Sequence, residues 1–363
     1  MSPSRREVRT PYIEWAKLRA NARFNLATSG MAAYPLEKLG ARLEDFQVSG
    51  SDSYGYPPLQ ERLAKKCGVT PECVVAAIGT SMANHLAMAA LLEPGDEVLI
   101  EHPAYEPLLK VAEYLGARVM RFHRRWEDDF RVNPAEIERQ LSPRTRLIVL
   151  TNLHNPSSAR VDDATLAAIG SLAHRVGAQV LVDEVYLEAI FDEPWRSSFL
   201  LDDNFIATSS LTKAYGLSGL RCGWVLAHPA LAERMWRLND LFGVIPAHLA
   251  ECLSVLALDH LPEIAARARE QLEKNRKLVR DFLSTRIDLA VARIDCGTVV
   301  FPEVLSGDPE LFIALLREKY QTTVAPGRFF EMPRHFRLGL GGDSGVLEEG
   351  LRRIGCALGE ISR

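Results

Sequence analysis

Lys213 stands in Ser210-Leu211-Thr212-Lys213-Ala214-Tyr215-Gly216-Leu217-Ser218-Gly219-Leu220-Arg221-Cys222-Gly223. Its flanks are small, hydroxylated or apolar. An isolated lysine is ordinarily a solvated surface charge, but these flanks suit a desolvated amine beside an anion. Such an amine is a nucleophile that forms a Schiff base with an aldehyde. Pyridoxal 5′-phosphate (PLP) is the aldehyde that enzymes hold through lysine. The same chemistry requires a phosphate cradle, a carboxylate for the ring nitrogen, an aromatic face and a group for a substrate carboxylate.

Candidates for each are present. Gly79-Thr80-Ser81 joins a predicted strand to a predicted helix. Glycine permits the tight turn, and the next amides and hydroxyls then face an anion at a helix N-terminus. A plain capped turn uses the same residues. Ser210 and Arg221 are further phosphate candidates, since a guanidinium matches phosphate geometry. Asp183 ends the apolar run Gln179-Val180-Leu181-Val182. It reads as a cap or surface charge, or as a partly buried carboxylate that needs a partner such as a protonated pyridine nitrogen. Tyr186 and Asn155 read as core packing and an Asn-Pro turn, or as two donors to the cofactor's phenolate oxygen. Tyr105 packs, or stacks on the pyridine face for about 0.5–1.5 kcal/mol beyond its burial. Arg337, inside the apolar Phe336-Arg337-Leu338, is half of an ion pair or a fork for a substrate carboxylate.

The elements that must position these residues alternate from about residue 74 to residue 245. Predicted strands cover 73–78, 97–101, 118–122, 146–151, 179–183, 205–209 and 222–227, with helices over 82–92, 104–115, 134–141 and 162–176. This is an α/β pattern, a mostly parallel sheet flanked by helices. Ligands bind such sheets beyond the carboxyl ends of the strands, where the candidates fall. Beyond residue 247 the pattern becomes a small α+β domain. Its predicted helices are 250–258, 262–285, 309–319 and 345–358, and its strands 289–294, 298–304, 322–325 and 336–340. The expected division is a large PLP-binding domain over 46–246 and a small domain formed by 1–45 and 247–363.

Composition narrows the class. The chain has 363 residues, 47% apolar and 25% charged, with a net charge of −4. These values describe an ordinary soluble globular protein and favour neither nucleic acid nor an anionic membrane as partner. No apolar run is long enough to span a bilayer. The basic start Met1-Ser2-Pro3-Ser4-Arg5-Arg6 is not followed by an apolar stretch, so no signal peptide is read. Six cysteines are scattered without metal-ligand spacing, which points to reduced thiols in the cytoplasm and to no metal site.

Together these stretches resemble the class I/II, fold-type I, PLP-dependent aminotransferases, from about Asn25 to the last helix. The run from Ser210 to Trp224 resembles the family's lysine motif. Asn155-Pro156 resembles its Asn-Pro-Thr-Gly element, Asp183-x-x-Tyr186 its Asp-x-x-Tyr, and Arg337 its carboxylate-binding arginine. Pro94-Gly95-Asp96-Glu97-Val98 and Gly55-Tyr56-Pro57-Pro58-Leu59 are similar to further family stretches. The resemblance implies ping-pong transamination between an amino acid and a 2-oxo acid. Lys213 would hold PLP and then act as general base, and Arg337 and Asn155 would bind substrate with Gly30 of the loop Ala27-Thr28-Ser29-Gly30. It also implies a homodimer with shared active sites and a small domain that closes.

The chain departs from the family at three places. Ser157-Ser158 replaces Thr-Gly. Gly50 stands where the family usually has a tyrosine reaching the other subunit's phosphate, leaving Tyr54 or Tyr56 to substitute. No second arginine matches the one that dicarboxylate-specific members use, which argues against aspartate or glutamate as donor. A PLP-dependent lyase, decarboxylase or cyclase on the same scaffold is the nearest alternative. A non-catalytic PLP-binding regulator is more remote, since fewer than thirty residues precede the family-like region. No Gly-x-Gly-x-x-Gly follows the first strand, which disfavours a nucleotide-binding dehydrogenase.

Overall fold

The Val-, Ile- and Leu-rich runs in the middle of the chain pair into one seven-stranded sheet. The computed structural model describes residues 9–50, 53–191, 193–293 and 296–361, so the basic stretch Met1 to Arg6 lies outside the described residues. The chain begins with α1 (Pro11–Leu18), β1 (Phe24–Asn25) and α2 (Pro57–Cys67). It continues through β2 (Val74–Ile78), α3 (Gly79–Leu91), β3 (Glu97–His102), α4 (Glu106–Tyr114), β4 (Arg118–His123) and α5 (Pro134–Gln140). Then follow β5 (Thr145–Thr151), α6 (Asp163–His174), β6 (Gln179–Asp183), β7 (Phe205–Ser210), β8 (Cys222–Leu226) and α7 (Pro229–Asn239).

The strand order is β2-β8-β7-β6-β5-β3-β4. β8 runs antiparallel to both of its neighbours, and the remaining pairs are parallel. The reversal matters for the site. It brings Arg221, just before β8, to the edge where the other strands have their carboxyl ends. The sheet is covered on both faces, which explains strands without polar alternation. Leu147, Val149 and Leu181 join one apolar cluster with Leu63 of α2 and Leu86 of α3. Ile148, Leu150, Val180 and Val182 join another with Ile137 of α5 and Ile169 of α6.

The C-terminal part contains α8 (His248–Asp259), α9 (Leu261–Ser284), β9 (Leu289–Ala290), β10 (Val299–Val300) and β11 (Glu303–Val304). It ends with α10 (Pro309–Glu318), β12 (Thr322–Thr323), β13 (Ala325–Pro326), β14 (Phe336–Gly339) and α11 (Ser344–Ile361). Its strands form small sheets, β1-β12, β10-β14-β13 and β9-β11. Three expected strands change here. The 298–304 strand splits because Pro302 has no N–H for a ladder and Phe301 turns into an aromatic cluster. The 322–325 strand splits because Thr322 pairs with β1 while Ala325 pairs with β14. The 289–294 strand shortens to Leu289–Ala290, and Ile294 lies outside the described residues.

Helices α1, α2 and α7 were not anticipated, although each carries proline in its first turn, a start signal. After β1 the chain crosses to the lysine loop, where Met31 N donates to Lys213 O at 2.8 Å. No helix among the described residues is long and apolar enough to cross a membrane.

Candidate active site

A cavity of ≈270 Å³ opens at the carboxyl edge of the sheet, and Thr80, Ser81, Tyr105, Asn155, Asp183, Tyr186, Ser210, Lys213 and Arg221 all line it. These residues come from the first turn of α3, the loops after β3, β5 and β6, and the end of β7 with the loop that leads from it into β8.

One end suits an anion. α3 begins at Gly79, three residues earlier than expected, so Thr80 and Ser81 lie in its first turn. Ile78 pairs with Cys222, which sets Gly79 against Arg221. Gly79 has φ 71°, and its N–H donates to Arg221 O at 2.7 Å. A Cβ at Gly79 would collide with Arg221 Nη2, and a Cβ at Gly223 with the Gly79 backbone. Two glycines therefore let the guanidinium pass close to the helix start. Thr80 Oγ1 and Thr212 Oγ1 are buried without a partner among the described residues. An unsatisfied buried hydroxyl costs about 1–3 kcal/mol, so these atoms await an acceptor or donor. Hydroxyls, first-turn amides and a guanidinium together fit a phosphate.

The middle suits a protonated nitrogen. Asp183 is 3% exposed at the end of β6. Its Oδ2 accepts from Asn84 Nδ2 at 2.8 Å and its Oδ1 from Val185 N at 3.1 Å. Asn84 Oδ1 in turn accepts from Thr208 Oγ1 at 2.6 Å. Burial pushes the Asp183 carboxyl up to about 6, against the opposing pull of the Asn84 bond. A cation facing it would restore the ionised form. Asn84 was missed from sequence, although it follows Thr80 by one helical turn and so shares its face.

Lys213 is partly buried, and its Nζ donates to Ser29 Oγ at 3.2 Å. Burial is the main reason its amine titrates below the ordinary lysine value; Tyr12 and Asp183 oppose the shift, while Arg337 and Arg221 add to it. Tyr186 also donates to Ser29 Oγ, at 2.7 Å, instead of directing its proton freely into the cavity. Gly30 presses on the lysine from above, since a Cβ there would lie 3.3 Å from Lys213 Cδ. Ser29 is a second residue that motif spacing did not single out.

The Arg337 end is closed differently. Arg337 is 1% exposed and has no carboxylate partner among the described residues, so the ion-pair alternative does not hold. Its Nη1 donates to Asn155 Oδ1 at 2.8 Å, and its Nη2 to Tyr12 Oη at 2.8 Å and Ala27 O at 3.0 Å. Accepting from Arg337 orients the Asn155 amide and leaves its Nδ2 as the donor end. The Asn155 N–H itself donates to Thr151 Oγ1 at 3.0 Å. Tyr12 of α1 meets Tyr105 edge-on at 5.8 Å, and Tyr12, Ile13 and Ala16 supply a wall of the cavity that no motif announced.

Gly50, Tyr54 and Tyr56 do not line this cavity. A Cβ at Gly50 would collide with the His248 ring. Tyr54 donates to Asp240 Oδ2 at 2.8 Å, and Tyr56 meets the His248 ring at 4.9 Å.

A buried acid, a helix start suited to an anion and a half-buried lysine thus line one cavity at the edge of this sheet. The chain belongs to the aminotransferase class I and II family, whose model matches residues 47–354. It is 31% identical to an arginine–pyruvate transaminase of Pseudomonas aeruginosa, over 86% of this chain and 82% of that protein. It is 29% identical to capreomycidine synthase of Streptomyces vinaceus, over 97% of this chain and 94% of that protein. A PLP-dependent aminotransferase structure from Streptococcus suis superposes with a TM-score of 0.91 at 27% identity, covering 98% of each chain. The chain is accordingly a PLP-dependent aminotransferase, which moves an amino group between an amino acid and a 2-oxo acid.

Proposed function

We propose that Lys213 holds PLP through a Schiff base and, once released, is the general base of a ping-pong transamination. The carrying observation is that Lys213 lines the same ≈270 Å³ cavity as Asp183, Thr80, Ser210 and Arg221. When bound, PLP supplies an electron sink for the electron pair released at the donor's Cα. Lys213 Nζ takes the Cα proton, which requires a neutral amine, and burial favours that form. Asp183, braced by Asn84, would keep the ring nitrogen protonated. Thr80, Ser81, Ser210 and Arg221 would hold the phosphate beside Gly79, and Tyr105 would supply an aromatic face for the ring. Asn155 Nδ2 would be free to donate to the phenolate oxygen, and Tyr186 would do so once its proton turned from Ser29.

Arg337 anchors the donor carboxylate beside Gly30, a role supported by a buried guanidinium without an acidic partner. The cations among the described lining residues are Lys213 and Arg221, both occupied by PLP in this reading, so aspartate and glutamate are poor donors. The proposed division remains a large domain over 46–246 and a small domain from 1–45 and 247–363. A cytoplasmic homodimer is supported by cysteines that form no disulfide among the described residues and by apolar exposure at Ile78, Leu241, Phe242 and Val244, with Arg221 bonded to Ile78 O.

The test is a panel of amino acids scored by half-reaction spectra, with borohydride used to trap the Lys213 adduct. Conversion of the cofactor to its amine form supports transamination. Failure with every amino acid, with the adduct still trapped, favours the second reading, a cyclase. A solved PLP-dependent cyclase that shares this fold, with a TM-score of 0.89 over 98% of each chain, is what keeps that reading open.

A further inference from the structure

We propose that Tyr12 is a place-holder for the substrate carboxylate, its hydroxyl seated on the Arg337 fork until a carboxylate displaces it. The inference rests on the reading of Arg337 as anchor. Tyr12 and Asn155 line the cavity, whereas Arg337 is not among the lining residues. The anchor is thus covered by the two side chains bonded to it.

A count of donors shows which one must leave. A guanidinium has five N–H bonds, two of them on Nη2. Both Nη2 protons are committed, to Tyr12 Oη at 2.8 Å and Ala27 O at 3.0 Å. A carboxylate held bidentately takes either Nη1 with Nη2 or Nε with Nη2. Each mode needs an Nη2 proton. Nε is buried with no partner among the described residues, so the Nε–Nη2 edge is the one left incomplete.

Ala27 O cannot withdraw easily. It belongs to main chain tied on one side to the C-terminal sheets (Gly339 N to Leu26 O, 2.8 Å) and on the other to the lysine loop (Met31 N to Lys213 O, 2.8 Å). Tyr12 is a side chain on the eight-residue α1, held by Tyr12 N to Glu106 Oε2 at 2.7 Å and by ring contacts with Tyr105, Phe329 and Phe330. Its hydroxyl can leave by a small tilt of the ring. The arriving carboxylate then replaces one neutral acceptor with a charged one and satisfies Nε as well.

The experiment uses the PLP-loaded enzyme and propionate, a carboxylate without an amine, with its Kd read by calorimetry. Tyr12→Phe keeps the ring contacts and removes the competing hydroxyl. Propionate should bind threefold or more tighter to Tyr12→Phe than to the natural chain, and the donor's KM should fall in proportion. Arg337→Ala should weaken propionate at least tenfold. Unchanged or weaker binding to Tyr12→Phe, with propionate still lost in Arg337→Ala, would overturn the place-holder and leave the anchor standing. Unchanged propionate binding in Arg337→Ala would overturn the anchor, and the place-holder with it.

Discussion

The floor of the cavity is assembled from loops along one sheet edge, and its roof from segments far apart in the chain. Floor residues lie between Thr80 and Arg221, at or just beyond the ends of strands joined by main-chain ladders such as Asp183 with Thr208. Roof residues meet through side chains, and the Arg337–Tyr12 bond joins positions 325 residues apart. The floor is rigid because each loop is anchored by a strand buried on both faces. The roof is held by hydroxyls, a guanidinium and ring edges, which exchange partners at small cost. In the proposed function, cofactor binding and substrate binding are therefore separable.

Lys213→Ala should have the largest effect. Turnover should fall on the order of 10⁴-fold or more, and the borohydride-reducible adduct should vanish. An adduct that persists would remove Lys213 from the floor's chemistry. Asp183→Asn should lower kcat by about 10²–10³-fold, with donor affinity changed far less.

The same substitution has a signature in the cofactor-free protein. The Asp183 carboxyl sits at about 6 when folded, above its ordinary value of 3.8. Its contribution to stability is complete below 3.8 and is lost as pH rises through 6. The loss is about 3 kcal/mol at most. Asp183→Asn should flatten that part of the denaturation-versus-pH curve, whereas an unchanged curve would show that the carboxyl is not perturbed.

On the roof, Arg337→Ala should weaken donor binding by about 2–5 kcal/mol with PLP affinity unchanged. Equal loss of both in titrations would erase the distinction between the two walls. Thr80→Val should have the smallest effect, weakening PLP by about 0.5–1.5 kcal/mol and leaving the donor's KM alone.

The two walls also differ in how far they are legible in the sequence. Each large-sheet strand is a buried apolar run, so its carboxyl end can be marked without coordinates. Ser210-x-x-Lys213 and Asp183-x-x-Tyr186 sit just beyond such ends, within a few covalent bonds of a fixed strand. The partners that hold these residues were not legible. Asn84 required knowing that α3 starts at Gly79, which places Thr80 and Asn84 one turn apart on one face. Ser29 and Tyr12 required the path of the chain across the lysine loop. The short strands 298–304 and 322–325 failed for a related reason. Their residues pair with different partners on either side of a break, and local pattern does not record partners.

From sequence alone came the α/β class, the candidate lysine and anion ligands that line one cavity, and the apolar setting of Arg337. Local covalent spacing and burial pattern are enough for those. Tertiary structure alone decided that β8 runs backwards and brings Arg221 to the cradle, that Asn84 braces Asp183, and that Tyr12 covers Arg337. Those facts depend on which distant segments meet. The meeting is set by the summed burial of the whole core, which no short stretch of chain contains.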